Sequence, residues 1–428
     1  MGGDACRGHH DGSAWRPRNQ RGGNRKTPID PLDVSRADLY RDDVWHAPFR
    51  HLRAHAPVHH VASSDYGPYW SVSNYRGIVE VESLPDLYSS EAGGITLADF
   101  DRDRDVRMPM FIARDRPIHT SQRRTVAPAF TPSEMTRMAP DIRRRTAEIL
   151  DGLDWNTPFD WVDRVAIELT TQMLAILFDF PWEDRRKLTL WSDWAGDIEL
   201  VKNEETRKQR LAHMFDCGAY FQTLWNAKID RPPTPDLISM MIHSDAMAHM
   251  EHHEFIGNLI LLIVGGNDTT RNSMSALAYG LDAFPDARAM LEADPALIPN
   301  AVSEILRWQT PLAHMRRTAT QDTELQGQSI KAGDKLALWY LSANRDESVF
   351  GDDADAIRVD RPNARRHLAF GHGIHRCVGA RLAEMQLAIL LEEMAKRRMR
   401  INVVGAPTRV AACFVHGYRS LPVEISRY

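Results

Sequence analysis

Residues 370–384 read Phe-Gly-His-Gly-Ile-His-Arg-Cys-Val-Gly-Ala-Arg-Leu-Ala-Glu, and no other stretch constrains the fold as much. Cys377 stands alone among Gly371, Gly373 and Gly379. Directly after it, Val378, Leu382, Met385, Leu387, Leu390, Leu391 and Met394 recur at helical spacing. The chain must turn sharply, let its backbone come close to a neighbour, and then start a long helix. A thiolate in front of a helix is stabilised by unpaired N–H groups and the positive end of the helix dipole. His375 and Arg376 add positive charge beside it. The competing reading of an isolated cysteine is a structural thiol among loop glycines.

The other cysteines are Cys6, Cys217 and Cys413, and no two of the four form a CxxC pair. A disulfide framework or cysteine-rich zinc site is excluded on spacing, and a reducing, cytoplasmic setting is expected. Among 18 histidines there is no HExxH; His59-His60 and His252-His253 are adjacent, so they do not converge on a metal face. This disfavours a histidine-based metal hydrolase. The net charge of −5 gives no field for nucleic acid. Residues 1–27 carry six Lys/Arg against two Asp/Glu, without apolar periodicity. They read as a flexible basic tail, either a plain extension or an arm that touches a surface. Residues 28–428 read as a single catalytic domain. No apolar run reaches the roughly 20 residues of a membrane span.

Helical periodicity covers 162–178, 184–194, 204–229, 255–284, 300–308 and 378–398, while strand-like pieces at 58–61, 69–72, 335–341 and 421–425 are short. The fold class is mainly α with a small β part. Inside the fourth helix lies Gly265-Gly-Asn-Asp-Thr-Thr270. Two interior glycines cost about 1 kcal/mol each. Either the helix bulges there around a small ligand that Thr269 and Asp268 serve, or the glycines permit a close helix contact. Glu304 and Arg307 stand at i, i+3 and can pair on one helix.

Phe370, Gly373, Cys377 and Gly379 together fit Phe-x-x-Gly-x-x-x-Cys-x-Gly. This resembles the haem-binding signature of the cytochrome P-450 superfamily, and Gly266-x-Asp268-Thr269 looks like its oxygen-activation motif. The resemblance runs from Ile29 onward and implies the cytochrome P-450 fold enclosing one haem b (iron protoporphyrin IX). It implies Cys377 as the axial ligand of the iron, in a loop carrying Phe370, Gly371 and Gly379. It implies Asp268 and Thr269 as the proton-delivery pair. His119, Arg123, Arg317 and His375 would bind the haem carboxylates, with Arg124 and Arg316 left structural. Glu304 and Arg307 would form a buried pair completed by Arg361, which holds the cysteine loop.

Stretches at 111–113, 168–173, 182–188, 262–274, 310–319 and 375–386 look like the bacterial class that hydroxylates the terminal carbon of alkanes and fatty acids. The resemblance implies a monooxygenase that uses O2 and NAD(P)H-derived electrons, delivered by a ferredoxin and ferredoxin reductase. Arg376 and Arg381 offer a docking face for an acidic partner. Ile95, Leu97, Leu262, Gly265, Leu312, Ala313, Met315 and Phe414 are the expected pocket residues for an apolar substrate. Departures are Asp115-Arg-Pro117, where the family has Asp-Pro-Pro, and Asn344-Arg-Asp-Glu347, where it has Asn-Arg-Asp-Pro. The charge run at 99–107 reads as a solvated face near the pocket. The alternatives are a P-450 acting on a terpenoid, steroid or other natural-product skeleton, and a non-catalytic haem sensor or carrier. The sensor has no need of Asp268 and Thr269.

Overall fold

Pro285 ends the long central helix of the molecule, and the polar stretch 265–273 marks where that helix passes from one apolar cluster to another. The computed structural model of the protein describes residues 30–101 and 105–428; the expected tail over 1–27, with Cys6, lies outside the described residues. The first part alternates short elements: α1 (Ala37–Arg41), α2 (His46–His55), β1 (Val58–Val61), β2 (Tyr69–Val72), α3 (Tyr75–Ser83) and β3 (Tyr88–Ser89). A helical middle follows with α4 (Ile118–Val126), α5 (Pro132–Asp151), the short β4 (Phe159–Asp160), α6 (Glu168–Phe178), α7 (Arg186–Gly196), α8 (Glu204–Lys228), α9 (Leu237–Ile242), α10 (His252–Ala283), α11 (Pro285–Ala293) and α12 (Ile298–Gln309). The last part holds β5 (Met315–Ala319), β6 (Thr323–Leu325), β7 (Gln328–Ile330), β8 (Lys335–Leu338), α13 (Tyr340–Ala343), α14 (Glu347–Phe350), α15 (Ala380–Lys396), β9 (Met399–Val403), β10 (Thr408–Arg409), β11 (Tyr418–Ser420) and β12 (Pro422–Arg427).

The expected mainly α fold with a small β part is what the chain adopts. The largest sheet has the order β1-β2-β8-β5-β3. Only β2 and β8 run parallel, Trp70 facing Leu336; the other pairs are antiparallel. A second sheet places β12 between β4 and β9.

α10 is the axis of the fold. Its first half buries Phe255, Ile256, Leu259, Ile260, Leu262 and Ile263 in one apolar cluster, against α7, α8 and α9. Its second half buries Met274, Ala276, Leu277 and Leu281 in another, against α12 and α15. The polar residues 265–273 fall at the changeover. α10 ends at Ala283 because Pro285 drives Phe284 to φ −121°, ψ 77°. The segment Val162–Ile167 winds as a wider π turn before α6.

Several sequence expectations are corrected. The helix expected to bulge at 265–270 runs unbroken. Thr269 Oγ1 donates to the Gly265 carbonyl at 2.7 Å, and Ser273 Oγ to the Thr269 carbonyl at 2.8 Å, so hydroxyls occupy carbonyls along the helix without interrupting it. The helix expected from 378 starts at Ala380, because Gly379 sits at φ −86°, ψ 7° as the preceding cap. The strand expected over 335–341 stops at Leu338, and α13 begins two residues later. Helix α5 was not expected at all: its buried Met135, Met138, Ile142 and Leu150 are interleaved with charges and with Pro140.

Candidate active site around Cys377

Cys377 is held by backbone alone. Its N–H donates to the Phe370 carbonyl at 2.8 Å, closing the loop between them. Gly371 and Gly373 have φ of +69° and +64°, values open to glycine at no steric cost. Gly373 is also required by space: a Cβ there would lie 2.2 Å from the backbone carbonyl oxygen of Glu82 on α3. Phe370 packs beside the second core cluster, with Arg376 over its ring. Cys377 is exposed while Cys217 and Cys413 are buried. Crowding by the surrounding chain still pushes its thiol up. The Gly379 N–H and the Arg123 and Arg376 guanidinium groups pull it down, and Glu384 opposes them. Because α15 starts three residues later, local N–H groups matter more to this sulfur than the helix dipole, which fades within a turn.

Asp268 is 2% exposed on the polar changeover of α10. Ser192 Oγ of α7 donates to its Oδ1 at 2.8 Å, Arg271 Nη2 at 2.9 Å and Asn267 Nδ2 at 3.3 Å. Arg271 also reaches Asp193 at 2.8 Å, on the outer side of α7. Burial raises the Asp268 carboxyl above its ordinary value; Arg271 opposes this and Asp193 adds to it. A Cβ on Gly196 would stand 2.5 Å from Asp268 Oδ2, so the acid presses against the end of α7. Thr269 is half-buried, and Gly265, one turn earlier, is exposed with no atom within 4 Å of a built Cβ. Its neighbours Ile263 and Asn267 are buried. An acid with a raised pKa beside an accessible alcohol can pass protons.

The four expected carboxylate-binding groups lie together, both histidines standing in the field of Arg123 and Arg317. His119, 2% exposed, and His375 lie with ring centres 4.2 Å apart. Both ring nitrogens of His119 and Nδ1 of His375 are buried without a partner, while His375 Nε2 meets Ser90 Oγ at 3.1 Å. Burial, then nearby arginines, pushes His119 down to about 4; burial with Arg317 and His119 pushes His375 to about 2. Arg123 Nη2 donates to the Arg376 carbonyl at 2.5 Å, beside the cysteine. Arg317, however, is committed to Glu82 at 3.0 Å and to the Arg316 carbonyl at 2.8 Å. Arg316 joins Lys335 on Asp99, so the charge run at 99–107 is partly bound to the sheet rather than solvated; residues 102–104 lie outside the described residues.

Glu304 is fully buried on α12. It accepts two bonds from Arg307, both at 2.7 Å, one from Arg361 Nε at 2.9 Å and one from the Arg358 N–H at 2.9 Å. Arg307 also donates to the carbonyls of Asn344, Ala354 and Ala356. The loop leading to the cysteine is thereby tied to α12.

Of the expected pocket residues, Leu97, Ala313 and Phe414 share one apolar cluster, with Ile95, Leu312 and Met315 packed on it. Backbone bonds join them: Ala313 N–H to the Phe414 carbonyl at 2.8 Å and Arg316 N–H to the Ile95 carbonyl at 2.8 Å. Leu262 lies in a different cluster and is 9% exposed. Glu82, Tyr340, Ser192, Arg271 and Lys335 were missed as site neighbours. Only Arg271 carried a sequence signal, its i, i+3 spacing from Asp268.

An accessible thiol on glycine-thinned backbone, an open glycine on the central helix, and two buried imidazoles with unpaired nitrogens fit a flat iron macrocycle bearing carboxylates. The imidazole nitrogens are orphaned polar atoms of the kind such carboxylates satisfy.

Comparison with known proteins bears on the same residues. The sequence profile of the family described as Cytochrome P450 matches residues 221–397. Linalool 8-monooxygenase of Pseudomonas putida is 34% identical over 406 residues, covering 92% of this chain and 98% of that protein. Methyl-branched lipid omega-hydroxylase of Mycobacterium bovis is 31% identical over 420 residues, covering 94% and 96%. The solved structure of CYP153D17 from Sphingomonas sp. PAMC 26605 superposes with a TM-score of 0.90 at 79% identity, over 93% of this chain and all of that one.

Proposed function

Since the chain belongs to the cytochrome P450 family and is a monooxygenase of that type, we propose that it hydroxylates the terminal carbon of an alkane or fatty-acid chain at a haem b held by Cys377. The observation that carries the haem assignment is Cys377 itself, accessible and fixed by the Phe370 carbonyl. Bound there, haem supplies the oxidising chemistry on dioxygen that a polypeptide lacks. Every other task falls to the chain.

Cys377 would ligate the iron as its thiolate, with the Gly379 N–H and the Arg123 and Arg376 guanidinium groups stabilising the negative sulfur. His119, His375, Arg123 and Arg317 would hold the carboxylate edge of the haem. Asp268, held by Arg271, takes up protons from solvent on the Asp193 side, and Thr269 passes them on at Oγ1, releasing the Gly265 carbonyl to do so. Ile95, Leu97, Leu312, Ala313, Met315 and Phe414 supply a wall without charge, which orients an apolar chain and excludes water. That wall and the likeness to a methyl-branched lipid omega-hydroxylase favour attack at the end of an aliphatic chain. A terpenoid skeleton is the second reading, favoured by the likeness to a linalool 8-monooxygenase.

Electrons from NAD(P)H reach the site through a ferredoxin and its reductase, docking beside the exposed Arg376 and Arg381. No helix of the described residues is long and apolar enough to cross a membrane, and we place the protein in the cytoplasm. Two measurements test the reading. The reduced protein with carbon monoxide develops the red-shifted Soret band of thiolate-bound haem, and the Cys377→His variant loses it; a band that survived this change would sink the ligand assignment. A spin-state screen across alkanes, fatty acids and terpenoids gives the strongest shift with a linear chain; a response confined to terpenoids would transfer the assignment to the second reading.

A further inference from the structure

Glu82 has no part in the mechanism above, yet its side chain is 1% exposed. A buried carboxylate is expensive unless it is paired and hydrogen-bonded. Glu82 has three partners on three different elements. Arg317 Nη2 of β5 donates to Oε1 at 3.0 Å, the Tyr340 hydroxyl of α13 to Oε1 at 2.6 Å, and the His372 N–H to Oε2 at 2.7 Å. His372 lies between the two left-handed glycines of the cysteine loop. A Cβ on Gly371 would sit 3.8 Å from both Glu82 carboxylate oxygens, and one on Gly373 would collide with the Glu82 carbonyl. Side chain and backbone of this one residue therefore form the surface on which the loop is laid.

The second observation is electrostatic. Arg317 is a cation expected at the carboxylate edge of the haem, and its charge is already matched by Glu82. Burial raises the Glu82 carboxyl, while Arg317, the Tyr340 hydroxyl and the His372 N–H pull it back. A matched pair adds little net field. Removing either member alone uncovers a full charge in a poorly screened place.

We propose that Glu82 is a positioning residue of the haem site: it fixes the backbone of the Cys377 loop and neutralises Arg317, so the Glu82–Arg317 pair sets how readily the iron is reduced. This rests on the haem-thiolate reading. The reduced iron centre carries one electron more than the oxidised one, so uncovered positive charge favours it and uncovered negative charge disfavours it.

The test is an anaerobic reductive titration of the holoenzyme, read by absorbance, for wild type, Glu82→Gln, Arg317→Gln and Tyr340→Phe. At a fixed poise, Glu82→Gln raises the reduced-to-oxidised ratio on the order of tenfold and Arg317→Gln lowers it by a similar factor. Tyr340→Phe removes a hydrogen bond from the same junction without changing charge, and leaves the ratio within about twofold while lowering thermal stability. Shifts of the same sign in the two charge variants, or a Glu82→Gln ratio unchanged while its stability falls, would overturn the proposal and leave Glu82 a plain brace. If Glu82→Gln does not hold haem, Arg317→Gln and Tyr340→Phe decide: an unchanged ratio in Arg317→Gln overturns it. A wild type without the thiolate Soret band instead refutes the haem reading, and is seen before any variant is made.

Discussion

Gly373 answers two demands at once, a left-handed φ of +64° and a carbonyl 2.2 Å from where a Cβ would stand. Because the obstacle is backbone, Gly373→Ala cannot be relieved by a rotamer change. We expect it to cost about 2–4 kcal/mol and to yield protein with little haem, measured as haem per mole of purified chain. At the proton path, Thr269→Ala keeps haem binding but diverts NADH consumption into peroxide, because it removes the hydroxyl that now caps Gly265. Asp268→Asn removes the titrating group and lowers turnover about a hundredfold. Unchanged peroxide yield and unchanged turnover would dismiss those two roles. These residues were legible because motif spacing is local in sequence. Glu82 was not, since an acid in a nine-residue amphipathic helix looks the same whether it meets water or a loop 290 residues away.

Helix α12 works as an anchor rather than a reactive element. Its Glu304 and Arg307 are sealed from water, and Arg361 and the Arg358 N–H complete the carboxylate's shell. Removing one member of a buried pair leaves an uncompensated charge. Arg307→Met is therefore expected to cost about 3–5 kcal/mol, read from the urea midpoint, whereas Glu304→Gln with Arg307→Met together costs less than the sum. Additive losses would mean the pair is not coupled. At this scale the sequence reading succeeded where apolar residues recur without interruption, as in α6 and α15. It failed for α5, whose stripe is broken by arginines and Pro140, and for β5, which carries Arg316 and Arg317 where alternation would place apolar residues. What specifies β5 is long-range: Asp99 waits for Arg316, and Glu82 for Arg317.

Across the whole molecule, buried histidines contribute to the loss of stability in acid. Burial pushes His314 and His416 down to about 4, so both stay neutral in the fold but take up protons near 6.5 once unfolded. Their share of stability is complete above pH 6.5 and is lost as pH falls toward 4, at most about 3 kcal/mol each. The urea midpoint should drop between pH 7.5 and 5, and His314→Gln should flatten that slope; an equal slope in the variant would show that other groups dominate. The contrast among the thiols reaches further. All three described thiols are pushed up by their surroundings, but Cys217 and Cys413 are buried whereas Cys377 is exposed. With Cys6 exchanged for serine, a thiol-selective dye has one target in the native chain, and iron ligation hides it. Dye uptake then counts the haem-free molecules in any preparation, turning the ligand into its own occupancy gauge.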